Sequence, residues 1–519
     1  MFNPKLKIAS ISAEVDPYSK SGGLADVSRS LPKALKRLDH EVIVVTPFYG
    51  AITNPEKHKL KKIHEDITII IDDKHKEKVN FWQGELMDGL PVYLIENEKY
   101  FSKRKDLYGS SHENARFLLF DLAALKLLTK IRFKADIIQC HDWQTGLIPY
   151  FLKSDFQNSD VLKKTATVFT IHNLTFQLGH NWWEISPKFK DDGKSNLPNL
   201  DDPKIEGVNF AKRAILNADM INAVSEKYAE EILTKDFGQE LHRILKNRED
   251  RVVGIVNGID YKDYNPKNDP GLNRNFDYYS SHLKEKNKLY IQKTYGLPQD
   301  KNIPLICMTS RIAEQKGFDL IKNISDIIFR FNLQLIIMGD GDEKMIKHLR
   351  KLQKENPKKL VHIFFHGEGN KELITQLKKS EKNNSLENLL IKNSKMETSL
   401  YAGSDFILIP SRFEPCGLTQ MKAMRYGCVP VARYIGGYVD TLDDYNPKHK
   451  LGNGFVFKVY DARDMAIAIS RGIETFKRKD EWKELVEKIM RQSFSWEYPA
   501  RKYIDLFKKA IKVKEKNGK

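Results

Sequence analysis

Short apolar runs rich in Val and Ile alternate with longer amphipathic stretches along the chain. Lys7 to Ser12, Val42 to Thr46, Ile137 to Cys140, Thr167 to Ile171, Met220 to Val224 and Val252 to Val256 are such runs. Near-continuous apolar character over so short a length predicts parallel strands buried on both faces. Between them, Leu24, Val27, Leu31, Ala34, Leu35 and Leu38 fall on one stripe of a helix. Ala115 to Thr129 is apolar almost all round and predicts a buried helix. The pattern then restarts with Leu305 to Thr309, Leu333 to Met338, Val361 to Phe365, Phe406 to Ile409 and Val429 to Ala432. Helical stretches separate these strands, among them Gly317 to Phe331 and Glu343 to Gln353. Two successive βα series predict an α/β chain of two doubly wound domains facing across a cleft. The polar, turn-rich stretch Asn265 to Leu297 is the expected connection, and Lys371 to Lys395 a surface insertion or exposed helix. Trp496 to Lys519 has helical spacing and is expected to fray after Val513. The expected boundaries are residues 1–285, 286–495 and a C-terminal helix and tail, 496–519.

Length and composition narrow the class. A chain of 519 residues has room for two or three domains. Hydrophobic residues at 41% and charged residues at 30% suit a globular protein rather than a disordered one. Nothing approaches the roughly 18 consecutive apolar residues of a membrane span. Met1-Phe2-Asn3-Pro4-Lys5 leads straight into an apolar strand, so no secretory signal is expected. The four cysteines, Cys140, Cys307, Cys416 and Cys428, form no CxxC pair, which fits a reducing cytoplasm better than a disulfide framework or a structural zinc. Lys and Arg exceed Asp and Glu by 86 − 69 = 17. Such an excess raises nucleic acid as a partner, but the lysines are scattered and no zinc-finger or aromatic RNA-binding signature accompanies them.

Ligands of doubly wound sheets bind beyond the carboxyl ends of the strands, so the loops there carry the candidate chemistry. Lys20-Ser21-Gly22-Gly23-Leu24 offers a cation, close backbone approach and a helix start, the makings of a phosphate contact or of a plain glycine turn. His141-Asp142-Trp143 and His172-Asn173 each follow a strand. Their polar groups with an indole face resemble a sugar site, against the simpler alternative of structural histidines. Arg311 and Lys316 share the loop Ser310 to Gly317, where a guanidinium and an ammonium make a diphosphate clamp. Glu414 stands between Phe413 and Pro415 before another helix start, and Ile435-Gly436-Gly437-Tyr438 is a second paired-glycine turn. Gly193-Lys194-Ser195 lacks the first glycine of a P-loop, and Asp340-Gly341-Asp342 is better explained as a strand-to-helix turn than as a metal site.

Taken together these motifs resemble the bacterial glycogen synthase and plant starch synthase family, retaining glycosyltransferases of the GT-B fold with two Rossmann-like domains. Lys20 to Val27, His141-Asp142-Trp143, His172-Asn173-Leu174, Asn257-Gly258-Ile259-Asp260, Ser310 to Gly317 and Ser411 to Thr419 fall in the family's order. The resemblance implies that 1–285 is the starch-synthase catalytic domain on the acceptor side and 286–495 the nucleotide-sugar domain. It implies glucose transfer from ADP-glucose to the non-reducing end of an α-1,4-glucan with retention. The alternatives are UDP-glucose as donor, or a non-catalytic glucan- or nucleic-acid-binding protein. As catalytic residues it implies His172 at the donor glucose, Arg311 and Lys316 on the diphosphate, and Glu414 on the sugar. As substrate-binding residues it implies Lys20, Gly22, Gly23, Asp142, Asn257, Cys416, Gly417 and Leu418. No metal, other cofactor, nucleic acid or membrane is expected. The pattern departs from the family at Lys422, where related enzymes carry a Glu for the ribose, and at Ile435, Tyr438 and Phe176 to Gly179.

Overall fold

The computed structural model describes residues 5–104, 106–109, 111–365 and 396–517. Two compact units emerge, one from residues up to Gly258 together with those from Trp496, the other Ile259–Ser495. The expected boundary at 285/286 is therefore corrected to 258/259. The helix Lys284–Thr294 explains the shift: Lys284 is buried in the second unit, its Nζ donating to the carbonyls of Tyr401, Ala402 and Tyr426 at 2.7, 2.8 and 3.1 Å. The separate tail is corrected too. The last helix, Glu497–Asn517, buries Ala500, Tyr503, Phe507 and Ala510 in the core of the first unit beside Ile8, Ile137 and Val168. That packing carries the helix past Val513, where fraying is expected.

In the first unit the strands are β1 (Lys7–Ser12), β2 (Glu41–Pro47), β3 (Lys61–Ile70), β4 (Lys76–Leu86), β5 (Leu90–Glu96), β6 (Ile137–His141), β7 (Ala166–Ile171), β8 (Met220–Ala223) and β9 (Val252–Gly254). They form one sheet in the order β3-β4-β5-β2-β1-β6-β7-β8-β9. From β5 to β9 every pairing is parallel; β3 and β4 add an antiparallel edge. The six parallel strands expected from the sequence are present with ends shifted by a residue or two. The β3–β5 hairpins are additions. β3 is mostly exposed and polar, so its apolar signal is weak. The buried helix is confirmed as Glu113–Lys130.

The second unit contains β10 (Leu305–Thr309), β11 (Gln334–Met338), β12 (Leu360–Ile363), β13 (Phe406–Ile409), β14 (Val429–Arg433) and β15 (Phe455–Phe457). All pairings are parallel, in the order β12-β11-β10-β13-β14-β15. Counted within the unit this is 3-2-1-4-5-6, the doubly wound nucleotide-binding order. The single helix expected over Gly317 to Phe331 is two, Phe318–Asn323 and Ser325–Ile328, because Ile324 leaves helical angles (φ −113°, ψ 11°). The stretch Lys371 to Lys395 lies outside the described residues. In each sheet the strand order reverses beside one strand, β1 in the first and β10 in the second. The loops after β1, β6, β10 and β13 are thus the ones the topology selects for a ligand.

Candidate active site

In the first unit the loop after β1 closes on a carboxylate. Glu14 is buried and accepts from Ser21 N and Ser21 Oγ, both at 2.6 Å, and from Tyr108 Oη at 2.7 Å. The hydroxyl of Ser21 is therefore in use. Lys20 is exposed and its Nζ lies 2.5 Å from Asp26 Oδ1. Gly22 and Gly23 open the helix Gly23–Arg37, which no side chain caps. A Cβ on Gly22 would meet nothing within 4 Å.

Two further loops meet beyond β6 and β7. Asp142 Oδ1 accepts from the backbone N–H of His172 at 2.7 Å and of Asn173 at 3.4 Å. Burial pushes the Asp142 carboxyl up to about 7, the nearby Glu14 charge adding to the rise and the two amides opposing it. His172 Nε2 lies 2.9 Å from His141 Nδ1, and His141 Nε2 lies 3.0 Å from Ser10 Oγ. Burial lowers His141 well below the usual imidazole range and His172 to about 3, so both rings are neutral at pH 7. Asn257 is buried and its Oδ1 has no hydrogen-bond partner among the described residues. The indole face expected of Trp143 is corrected. Trp143 is buried edge-on against Phe117 and Phe210, with centroids at 5.1 and 5.8 Å, and belongs to the core.

In the second unit Lys316 and Glu414 come together. Lys316 Nζ is 2.6 Å from Glu414 Oε2, which also accepts from Tyr438 Oη at 3.2 Å. Backbone fixes the loops that carry them: Arg412 N donates to Gln315 O at 2.8 Å, and Gln315 Nε2 to Phe413 O at 3.1 Å. Gly317 makes this approach possible. At φ 74° its Cβ would stand 2.0 Å from Pro410 O. Arg311 is exposed and has no hydrogen bond or ion pair among the described residues. Its loop is pinned by Ile312, whose N donates to Asp340 O at 2.7 Å and whose O accepts from Asp342 N at 2.8 Å. Asp342 caps the next helix through Met345 N at 2.7 Å, the turn expected there. Cys416 is buried, with Gly417 and Leu418 half-buried before the helix Thr419–Arg425. Gly437 packs its backbone against Cys416, where a Cβ would meet the carbonyl oxygen at 2.1 Å. Lys422 is buried, its Nζ 3.8 Å from Glu397 Oε2 and 4.6 Å above the Tyr264 ring.

The structure thus joins Asp142 to His172 and Lys316 to Glu414; within each unit, no hydrogen bond or ion pair among the described residues links Lys20, Asn257 or Arg311 to another candidate. Four participants escape sequence reasoning in these roles: Glu14, Ser10, His141 as a partner of His172, and Gly437 as a backing for Cys416. The position of Glu14, two residues beyond β1, is a signal for the first; the long-range pairings carry none. Gly193-Lys194-Ser195 is an Asp192-centred turn, with Asp192 Oδ1 accepting from Lys194 N at 2.7 Å and Ser195 N at 2.8 Å. The described residues contain no group of three or more His, Cys, Asp or Glu arranged for a metal, and no helix long and apolar enough to cross a membrane.

Known proteins resemble the chain over nearly its whole length. Residues 7–247 match the starch synthase catalytic domain model, and residues 292–488 match glycosyl transferases group 1. A glycogen synthase of Geotalea daltonii is 38% identical, covering 98% of this chain and 100% of the relative. One from Thermotoga maritima is 36% identical, covering 98% and 99%. The catalytic domain of starch synthase IV from Arabidopsis thaliana, bound to ADP and acarbose, superposes with a TM-score of 0.80 at 29% identity, covering 98% of this chain and all of that one. Sucrose-phosphate synthase from Thermosynechococcus elongatus, at 16% identity and a TM-score of 0.58, shares the fold. With relatives matching it from end to end, the chain belongs to the glycogen synthase and starch synthase family of glycosyltransferases of the GT-B fold.

Proposed function

We propose that the chain transfers glucose from ADP-glucose to the non-reducing 4-hydroxyl of an α-1,4-glucan with retention, releasing ADP in the cytoplasm. The observation that carries this reading is the pairing of a buried-edge ion pair, Lys316–Glu414, with an exposed, unengaged guanidinium at Arg311 on the same loop after β10. That loop is where the topology selects for a nucleotide. Arg311 and Lys316 stabilise the charge that develops as the C1–O bond to the diphosphate breaks; Lys20 and the amides at Gly22 and Gly23 are substrate-binding groups of the first unit. Glu414 fixes Lys316 and takes a sugar hydroxyl on its free lone pairs, beside the Cys416-Gly417-Leu418 backbone. Asn257 Oδ1 accepts from a sugar hydroxyl, which supplies the partner it lacks. Asp142 holds the backbone of His172 and Asn173.

Retention can proceed through a carboxylate nucleophile or by attack on the face the diphosphate leaves. Asp142 Oδ1 holds two amides and Glu414 Oε2 is held by Lys316 and Tyr438, which draws charge from both carboxylates and weakens them as nucleophiles. This supports the second route: the acceptor O4 bonds to C1 while its proton passes to the departing diphosphate oxygen. Adenine as the donor's base is supported by the ADP bound in the starch synthase IV catalytic domain; UDP-glucose is the alternative. Donor competition with glycogen as acceptor, with and without EDTA, tests donor and metal independence together. ADP-glucose should be preferred and EDTA should leave the rate unchanged. Arg311→Ala should lower turnover about 100-fold, the scale of one lost charge-assisted contact to developing charge. Wild-type turnover in that variant would remove Arg311 from the reaction.

A further inference from the structure

His172 is linked to the interior of its unit by two hydrogen bonds in series, through His141 to Ser10. His141 is fully buried on β6 and uses both ring nitrogens, Nδ1 toward His172 Nε2 at 2.9 Å and Nε2 toward Ser10 Oγ at 3.0 Å. Two neutral imidazoles facing each other nitrogen to nitrogen share one proton in that bond. Two arrangements satisfy the series. In one, Ser10 Oγ accepts from His141 Nε2–H, His141 Nδ1 accepts from His172 Nε2–H, and His172 Nδ1 is a bare acceptor. In the other, every bond runs the opposite way and His172 carries its proton on Nδ1.

Ser10 decides between them. It is fully buried on β1, and among the described residues its hydroxyl has no hydrogen-bond partner other than His141 Nε2. If Ser10 accepted, its own O–H proton would be left in a dry interior with nothing to bind, the costlier arrangement. If Ser10 donates, the protons of the two fully buried residues, Ser10 and His141, are both bonded, and the remaining N–H stands on His172, which is only half-buried. His172 Nδ1, which has no hydrogen-bond partner among the described residues, is then an N–H. We infer that Ser10 and His141 are positioning residues that fix His172 in the Nδ1–H tautomer, so that it meets its ligand as a neutral hydrogen-bond donor.

The catalytic consequence rests on the placement of His172 at the donor sugar; the tautomer does not. A neutral N–H donor suits a sugar oxygen, and it cannot take the acceptor's proton. That leaves the departing diphosphate as the base, in keeping with attack on the leaving-group face.

The test is long-range ¹H–¹⁵N correlation on the full chain labelled with ¹⁵N-histidine, with His172 assigned by its loss in His172→Asn. The expected pattern is that of a neutral ring protonated on Nδ1; a ring protonated on Nε2 overturns the inference. Ser10→Ala should move His172 toward the Nε2–H pattern and lower kcat about tenfold, the value of one neutral hydrogen bond, with little change in KM for the donor. Ser10→Thr, which keeps the hydroxyl, should restore both. An unchanged tautomer in Ser10→Ala overturns the role of Ser10. His172→Ala at wild-type turnover overturns the catalytic consequence, and it does so separately from the tautomer measurement on the wild type.

Discussion

Asp142 sits at φ 58° and ψ −177°, a region almost closed to residues with a Cβ. The two amides it receives from the next loop account for its persistence there. Its carboxyl, raised to about 7 mainly by burial, also makes stability depend on pH. Between about pH 4 and 7 the folded chain keeps a proton on Asp142 that the unfolded chain has released. The contribution of this group is therefore fully present below about pH 4 and is lost as pH rises toward 7. His172, depressed to about 3, works in the opposite sense at acid pH. Comparing wild type with Asp142→Asn cancels that term. The melting temperature of Asp142→Asn relative to wild type should rise between about pH 4 and 7; a flat difference would place the carboxyl at its ordinary value. At this scale the sequence shows which residues matter better than what they do. Asp142, His172, Lys316 and Glu414 stand out by their place after apolar strands. That Asp142 serves backbone amides, and that Trp143 is core, depends on partners 30 or more positions away in the one case and on rings from two other helices in the other.

At the scale of elements, two glycines illustrate different demands. Gly437 exists for the fold. A methyl there would strike the carbonyl oxygen and Cα of Cys416 at 2.1 and 2.4 Å, backbone against backbone. Gly437→Ala should cost about 1–3 kcal/mol of stability and disturb the loop from Cys416 to Leu418. Gly22 is different: it has extended angles and open space around a built Cβ. Gly22→Ala should melt like the wild type yet bind the nucleotide sugar less well, because only a ligand needs that space. Thermal unfolding beside ADP titration separates the two, and a destabilised Gly22→Ala would return that glycine to the fold. The elements themselves were legible where both faces are buried, as in β1, β6, β7, β10 and β13. They were obscure where one face is wet. β3 and β4 alternate too weakly against their lysines and glutamates to stand out. A helix interrupted by a single residue, Ile324, leaves no break in periodicity.

At the scale of the molecule, the two doubly wound series were plain in the sequence but the partition was not. Contact with distant residues, rather than composition, assigns Lys284 to the second unit and the last helix to the first. The net charge of +17 also finds little employment, since Lys20, Arg311 and Lys316 are the cations that the reading of the site requires. The last helix buries Ala500, Tyr503, Phe507 and Ala510, and Tyr503 Oη donates to Asn222 Oδ1 at 2.8 Å. Large buried side chains are worth about 1.5–3 kcal/mol each, against a total stability of roughly 5–15 kcal/mol. A chain ending at Ser495 should therefore lose the fold of the first unit while retaining that of the second, as circular dichroism and limited proteolysis would show. A fully folded, active truncation would contradict the assignment of this helix.

The same helix sets an order of events during synthesis. Residues 259–495 form a continuous stretch and can pack as soon as they leave the ribosome. The first unit, although begun earlier, waits for the segment that starts at Trp496. A nascent chain that stops short is thus left with an open apolar core, the state that chaperones and proteases recognise. The core of the first unit is thus closed by a segment made only after the whole of the second unit.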